Sequence, residues 1–488
     1  MKFLLDTNIL IPAEPTSAEY AEERTPLVAK LLGLIAKNKS QTLIHPASIG
    51  EMQSDKNEKR RALRNSLLAK YVQLEAPPPV TQPISDLQST RTQPGCNDEV
   101  DAALLAAVYG NAVDFLVTDD RGIHQKAMRL AIKERVLTPE DAIATIRAFI
   151  PVIPVPPPAV RPLLCHEIDI RDPIFGSLRS DYHGFDEWFA NCQREHRRAF
   201  AIGLSTSIDG VAVVKAEQPG EYGIQGKTLK ICTFKVSDSA RGYRYGELLL
   251  KAIFDYAEKN SFDKSYVTFF PHQLELLMFF ETFGFSKQCV KESGELVYLK
   301  RFDPSPSEQE QMSALDFHIQ FGPRHINLDK ASLYIVPIRP EFHRSLFPEI
   351  EHQPSLFEGL SAVGNTILKA YLCNSNIRHL EPGSVLLFYR SGGLGRINAI
   401  GVVDACKRLN NSEDVLRFVG QRTVYSICDI NKICRREALA ILFRQSNVVL
   451  DIESGELYSH NVLRGPPQQI SVVKSEKGKE WICRQIKK

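Results

Sequence analysis

Read as a pattern of hydrophobic and polar positions, the chain changes rhythm twice. In the first 150 residues, short apolar runs stop on acids. Lys2-Phe-Leu-Leu-Asp6-Thr7-Asn8 and Phe115-Leu-Val-Thr118-Asp119-Asp120 each read as a buried strand closed by polar residues. Asp98-Glu-Val-Asp101-Ala-Ala-Leu-Leu-Ala-Ala opens a helix, and Glu51 stands at a further helix start after Leu43-Ile-His-Pro-Ala-Ser-Ile-Gly. Farther on, Leu229 to Val236 reads as a strand, Glu247 to Lys259 as an amphipathic helix, and Lys264 to Phe270 as a second strand. From Ala331 the elements are short strands (Leu333 to Ile338, Val385 to Tyr389, Asn398 to Val403, Ala438 to Phe443) separated by Pro-Gly and Gly-Gly turns.

Two breaks divide these regions. Residues 151–162 hold Pro151, Pro154, Pro156, Pro157, Pro158 and Pro162, a density that favours extended backbone and a semi-rigid linker. Residues 303–311 are polar and turn-rich. The expected domains are therefore 1–150, 163–302 and 313–488. That agrees with 488 residues at roughly 150 per domain.

Composition adds less than its distribution. Hydrophobic residues make up 43% and charged residues 24%, which excludes a largely disordered chain. The net charge of +2 excludes a polycation that coats nucleic acid. Residues 1–150 carry 18 Lys and Arg against 19 Asp and Glu, whereas residues 313–488 carry 23 against 17. The basic excess thus lies at the C-terminal end. The ten cysteines form no C-x-x-C pair, so they read as reduced thiols and neither a zinc site nor a disulfide framework is expected. The first ten residues carry Asp6 and make a poor signal peptide, and no apolar stretch reaches the ~18 residues needed to span a membrane. A cytoplasmic location is expected.

Acids at helix N-termini are commonly caps, and capping accounts for Asp98 or Asp119 singly. It does not account for two strand ends and two helix starts that all present acids toward one edge of a sheet. A hard divalent cation with oxygen ligands would relieve such a cluster. The ordered set of Leu-Asp-Thr-Asn, a mid-domain Glu, Asp-Ala-x-Leu-Leu-Ala-Ala and Leu-Val-Thr-x-Asp resembles the PIN-domain ribonucleases. That resemblance covers about 145 residues and implies an α/β/α sandwich. It also implies Mg²⁺ or Mn²⁺ held by Asp6, Glu51, Asp101 and Asp120, with Asp98 and Asp119 as assisting ligands and Asn8 or Thr7 orienting them. Homodimerisation is a further implication.

In the middle piece, the strand ending at Val236 runs through Ser237-Asp-Ser-Ala-Arg241-Gly242-Tyr243-Arg244-Tyr245-Gly246 into a helix. A glycine-containing turn at a helix N-terminus presents backbone N–H groups to an anion, although a plain helix start also uses glycine. With the downstream Phe-Phe280-Glu-x-x-Gly-Phe, the segment resembles the GNAT acetyltransferases, of mixed α/β fold. Acyl-CoA binding by Val236, Arg241, Gly242, Tyr243, Arg244, Tyr245 and Gly246 is implied. Arg244 replaces the middle glycine and either contacts phosphate or crowds the turn. Phe280 replaces a tyrosine that acts as a general acid in many members, so acetyl-CoA binding is expected without a specified acetyl-transfer mechanism. The aromatic segment around Trp188 offers His183 or Glu187 as a base, and core packing is its preferred reading.

The last piece, with Gly364-Asn-Thr-Ile-Leu-Lys369-Ala-Tyr371, Pro-Gly-x-Val-Leu-Leu-Phe-Tyr389 and Ala-Ile-Gly401-Val-Val, resembles PUA-like β barrels of the ASCH and EVE types. The Glu and Arg of the full ASCH motif are missing, so no ASCH hydrolase activity is expected. RNA contact is expected at Lys369, Tyr371, Asn376, Arg378, Tyr389, Arg390 and Arg396. The sum is a multidomain α/β chain: a metal-dependent endoribonuclease with an acyl-CoA-binding domain and an RNA-selecting barrel. Its rivals are an N-acetyltransferase acting on RNA or protein, with the PIN-like piece as scaffold, and a non-catalytic toxin–antitoxin or stress regulator that binds RNA and a protein partner such as an antitoxin.

Overall fold

A computed structural model describes residues 1–13, 24–38, 40–53, 71–88, 97–148, 159–204, 207–237, 240, 244–350, 365–392 and 395–487. The chain forms two compact units, one of residues 1–152 with 413–421 and one of residues 153–412 with 422–488.

Unit 1 is built on five parallel strands, β1 (Lys2–Leu5), β2 (Gln41–Ile44), β3 (Val72–Gln73), β4 (Phe115–Val117) and β5 (Val136–Leu137), in the order β3-β2-β1-β4-β5. Helices α1 (Thr7–Ala13), α2 (Thr25–Lys37), α3 (Pro46–Gln53), α4 (Asn97–Tyr109), α5 (Arg121–Arg129) and α6 (Pro139–Ala148) accompany them. Strand alternation assigns the two faces. Phe3 and Leu5 pack with Val28, Leu31 and Ile35 of α2 and Ile143 of α6. Leu4 packs with Leu104 and Leu105 of α4 and Ile123 of α5. Helices on both faces make this an α/β/α sandwich, and they explain why the strands are apolar throughout. The chain leaves β1 toward β2 on one side and β4 toward β5 on the other. The carboxyl ends of β1 and β4 therefore form the crevice where parallel sheets receive ligands.

Unit 2 holds two mixed sheets. The first comprises β6 (Arg161–Leu164), β7 (Arg198–Leu204), β8 (Ser207–Glu217), β9 (Thr228–Val236), β10 (Lys264–Phe269), β11 (Ser286–Val290) and β12 (Leu296–Arg301), in the order β11-β12-β10-β9-β8-β7-β6. Strand β6 corrects the linker expected to reach residue 162, because Arg161 and Pro162 pair with Ala201 and Phe200. Proline is tolerated there because β6 is the edge strand. Helix α7 (Phe185–Arg194) lies before β7, α8 (Tyr245–Lys259) joins β9 to β10, and α9 (Leu274–Thr282) follows β10. One face is covered by Leu248, Leu249, Ile253 and Phe254 of α8, the other by Phe175, Phe185 and Phe189. The aromatic segment before the sheet is thus core, as its preferred reading had it.

The second sheet comprises β13 (Leu333–Ile338), β14 (Leu368–Cys373), β15 (Val385–Arg390), β16 (Arg396–Leu409), β17 (Ala438–Gln445), β18 (Ile452–Glu453) and β19 (Ser471–Val472). Its order is β14-β17-β16-β15-β13-β19, with β18 paired to β16. Among the described residues nothing pairs β14 with β19, so the sheet runs as an open path where a closed barrel was expected. Ile367 and Leu368 belong to the same apolar cluster as α8, so the two sheets of unit 2 share a core. No described helix is long and apolar enough to cross a membrane, and the nine described cysteines are free.

Candidate functional site

The crevice of unit 1 begins at Asp6, the residue after β1. It is 4% exposed, and its carboxylate is fixed by four donors. Oδ1 accepts from Thr7 N at 2.6 Å and Thr7 Oγ1 at 3.2 Å, and Oδ2 accepts from Thr118 Oγ1 at 2.6 Å and Asn8 Nδ2 at 2.8 Å. Asn8 also accepts from Asp119 N at 3.3 Å, so its amide ties the end of β1 to the end of β4. Thr118 in turn accepts from Asp120 N at 2.9 Å. Asp120 caps α5, accepting from Ile123 N at 3.0 Å through Oδ1.

From α4, Asp98 and Asp101 face Lys126 of α5. The Lys126 ammonium contacts Asp98 Oδ1 and lies 3.2 Å from Asp101 Oδ2. Across the crevice, Arg24 Nη1 lies 2.5 Å from Asp119 Oδ2, and its Nη2 lies 3.1 Å from Glu140 Oε1. The acids expected to act together are therefore sorted. Asp98 and Asp119 are bound by resident cations, Asp101 is shared with Lys126, and among the described residues no cation pairs with Asp6 or Asp120. Glu51 lies in α3, and its side chain falls outside the described residues.

Electrostatics marks the same residues. Burial pushes the Asp6 carboxyl above its ordinary value against the pull of its Thr118 and Thr7 hydrogen bonds, and the charge of Asp120 adds to the rise. Asp101 is pushed up to about 6, by burial first and also by Asp120 and Asp6, despite Lys126. Asp119 also stands at about 6, raised by burial, Glu140 and Asp6 against Arg24. Buried carboxylates that raise one another in this way fit a hard cation with oxygen ligands, which would stabilise the charged forms. Their oxygens are not gathered for it, however: those of Asp6, Asp101 and Asp120 do not all lie within 4.8 Å of one another.

Asp101 and Asp119 titrate near 6 in the folded chain, against 3.8 for the unperturbed group. The folded state therefore binds protons more tightly than the unfolded one, and the cost of holding the charged forms is present above pH 6 and gone below about 4. The metal-free wild type should gain stability relative to Asp101→Asn and Asp119→Asn as pH falls through that window. Thermal melts of the three proteins between pH 7 and 4 check this. Parallel curves would contradict it.

In unit 2, β9 and β10 pair in parallel only from Thr228–Ile231 against Lys264–Val267, although β9 continues to Val236 and β10 to Phe269. Beyond that register the two strands no longer pair with each other, next to the start of α8. Arg244, at φ +63°, is the N-cap of α8. Tyr245 and Val236 are half-buried against the α8 cluster, and Gly246 has ordinary clearance from Phe234 and Phe279. Arg241, Gly242 and Tyr243 lie outside the described residues. Phe280 is buried among Phe234, Phe269, Phe279 and Phe285, with ring centroids 4.8–6.0 Å away, and serves as core. His183 and Glu187 are exposed.

The RNA contacts expected in the last piece need correction. Lys369 is 0% exposed, and its Nζ donates to Leu346 O at 2.5 Å and faces Glu349 at 3.9 Å. Tyr371 is buried and donates to Pro337 O at 2.7 Å, and Tyr389 is buried against the backbone at Gly395. All three sit on strands with both faces covered, so alternation does not send them outward. Arg396 pairs with Asp451 and Glu453 at 3.0 and 3.2 Å. Arg390 is half-buried, and Asn376 and Arg378 are exposed. Lys369→Ala should accordingly destabilise unit 2 by about 2–5 kcal/mol through the buried cavity it leaves. RNA affinity per folded molecule should not change. Melting and gel-shift measurements on one preparation separate the two effects.

Comparison with known proteins agrees with this division. The family model for the PIN domain matches residues 2–122, and that for the acetyltransferase (GNAT) family matches residues 165–285. Residues 2–122 are thus PIN-like and residues 165–285 GNAT-like. No curated protein matches the chain. Similar solved structures include ASCH from Zymomonas mobilis, 12% identical over 31% of this chain and 94% of that one, with a TM-score of 0.24. A putative GNAT-family acetyltransferase from Desulfovibrio desulfuricans is 15% identical over 29% and 99%, with a TM-score of 0.23. The PaiA N-acetyltransferase from Thermoplasma acidophilum, in complex with coenzyme A, is 10% identical over 26% and 76%, with a TM-score of 0.21.

Proposed function

We propose that the chain is a divalent-metal-dependent endoribonuclease whose GNAT-like region binds an acyl-CoA and whose C-terminal region takes part in recognising RNA through the accessible Asn376, Arg378 and Arg390. Supporting this reading, Asp6 and Asp120 follow the adjacent strands β1 and β4 at the switch point of the parallel sheet, and burial together with the neighbouring acid charges raises Asp6 and Asp101. Asp6, Asp101 and Asp120, with Glu51, would hold Mg²⁺ or Mn²⁺. Bound there, the ion would supply a Lewis acid and an activated water for attack on a phosphodiester. Asn8, Thr7 and Thr118 orient the Asp6 carboxylate through their hydrogen bonds, and the Ile123 N–H fixes Asp120. Asp98 and Asp119 serve as ion-paired support. A labelled RNA incubated with the full chain in Mn²⁺ tests the reading. Cleavage by wild type and its loss in Asp120→Asn are expected, and equal products from both would overturn it.

A second reading, acyl transfer, is favoured by one specific observation. Strands β9 and β10 are not paired with each other beyond Ile231 and Val267, beside the N-terminus of α8, an arrangement that would suit an extended, phosphate-bearing ligand. Because Phe280 is core, the reading extends to acyl-CoA binding and names no general acid. Calorimetry with acetyl-CoA is expected to show saturable binding that weakens in Arg244→Ala. No heat of binding in wild type would remove this role.

A further inference from the structure

We propose that Lys126 is a resident counter-ion of the acidic crevice, holding Asp101 until an entering dication displaces it, so that this lysine sets how tightly the site binds metal. This inference rests on the metal-dependent nuclease reading of unit 1.

Three observations support it. First, the Lys126 ammonium reaches both Asp98 and Asp101, two acids three residues apart on the first turn of α4. All three side chains are largely buried, at 16%, 20% and 19% exposure, so the pairs are held in place and are not solvated surface bridges. Second, Asp120 is the N-cap of the helix that carries Lys126, so the internal cation is built next to a proposed ligand. Third, Asp6, Asp101 and Asp120 do not converge within 4.8 Å, and the Asp101 oxygen Oδ2 is turned to Lys126. An ion bound by Asp101 with Asp6 and Asp120 would draw this carboxylate from the ammonium, which keeps Asp98 as its partner.

Electrostatics fixes the sign of the effect. An ammonium hydrogen-bonded to a ligand carboxylate competes for that carboxylate and also repels any cation it binds. Even at the dielectric of water, one positive charge a few ångströms from a dication is worth about tenfold in affinity, and more in a buried site. Lys126→Met keeps the apolar stem and removes the charge. Lys126→Arg keeps the charge and the pairing.

Mn²⁺ binding to the full chain, followed by calorimetry at pH 8 and low salt, tests the proposal. Lys126→Met should bind Mn²⁺ about tenfold tighter than wild type or better, and Lys126→Arg should stay within about threefold of it. If Lys126→Met does not fold, Lys126→Gln takes its place. Saturable wild-type binding that is lost in Asp6→Asn, together with unchanged or weaker binding in the Met or Gln variant, would overturn the Lys126 inference and leave the metal site standing. No saturable binding in wild type or in the Met or Gln variant would overturn the nuclease reading itself.

Discussion

Asp6→Asn is expected to reduce Mn²⁺-dependent RNA cleavage by about a thousandfold or more, in line with the several kcal/mol a Lewis-acid ion contributes to such a transition state. The melting temperature of the metal-free chain should stay level or rise. The two effects share one cause. Asp6 is buried, and burial pushes its carboxyl upward, so the charge costs folding free energy at neutral pH. Asparagine removes that cost. It also places an amide N–H₂ among the donors Thr7, Asn8 and Thr118, and this mismatch offsets part of the gain. A variant that lost activity only by unfolding would show the opposite stability change. Rate measurements and thermal melts on one preparation distinguish the two, and near-wild-type cleavage would remove Asp6 from the site.

The second large effect is expected at Glu247. This residue lies in the first turn of α8, 2% exposed, and joins the two sheets of unit 2. Its Oε1 accepts from Leu368 N at 2.6 Å, and its Oε2 lies 3.7 Å from Arg422 Nη1 and 3.9 Å from Arg244 Nη1. Glu247→Ala takes the acceptor from Leu368 N and the nearby carboxylate from Arg422, which is itself buried. Breaking a buried ion pair on one side costs about 3–5 kcal/mol, so the melting transition should fall by several degrees. Glu247→Gln keeps an acceptor for Leu368 N and should lose less. Arg244 caps the same helix, so acetyl-CoA affinity should fall with stability in the alanine variant. An alanine variant that melts like wild type would show that Glu247 does not hold the two sheets together.

Much of the catalytic candidate was legible because its grammar is local. Asp6 and Asp120 each follow an apolar run by at most three residues, and Asp98 and Asp101 share one helical turn. In the structure Asp6 and Asp120 follow the neighbouring strands β1 and β4 of the parallel sheet. The cations that divide these acids were not legible. Lys126 is 25 residues from Asp101, and Arg24 is 116 from Glu140, so no local pattern connects them. Glu247 was read only as the start of an amphipathic helix, because its Leu368 partner is 121 residues away. Lys369 was misread for a different reason. A charged residue in a strand was assigned to solvent, but β14 has a neighbouring layer on each face, and the ammonium is buried against Leu346 O and Glu349. Pro162 was assigned to the linker because proline weakens a strand, yet an edge strand has a side that needs no donor.

Anomalous scattering from crystals of the full chain grown with Mn²⁺ locates the ion directly. A peak bounded by the carboxylates of Asp6, Asp101 and Asp120 is expected, with the Asp101 side chain turned from Lys126 toward the ion. No peak at that crevice, with Asp101 still on Lys126 at saturating Mn²⁺, would contradict the metal-dependent reading.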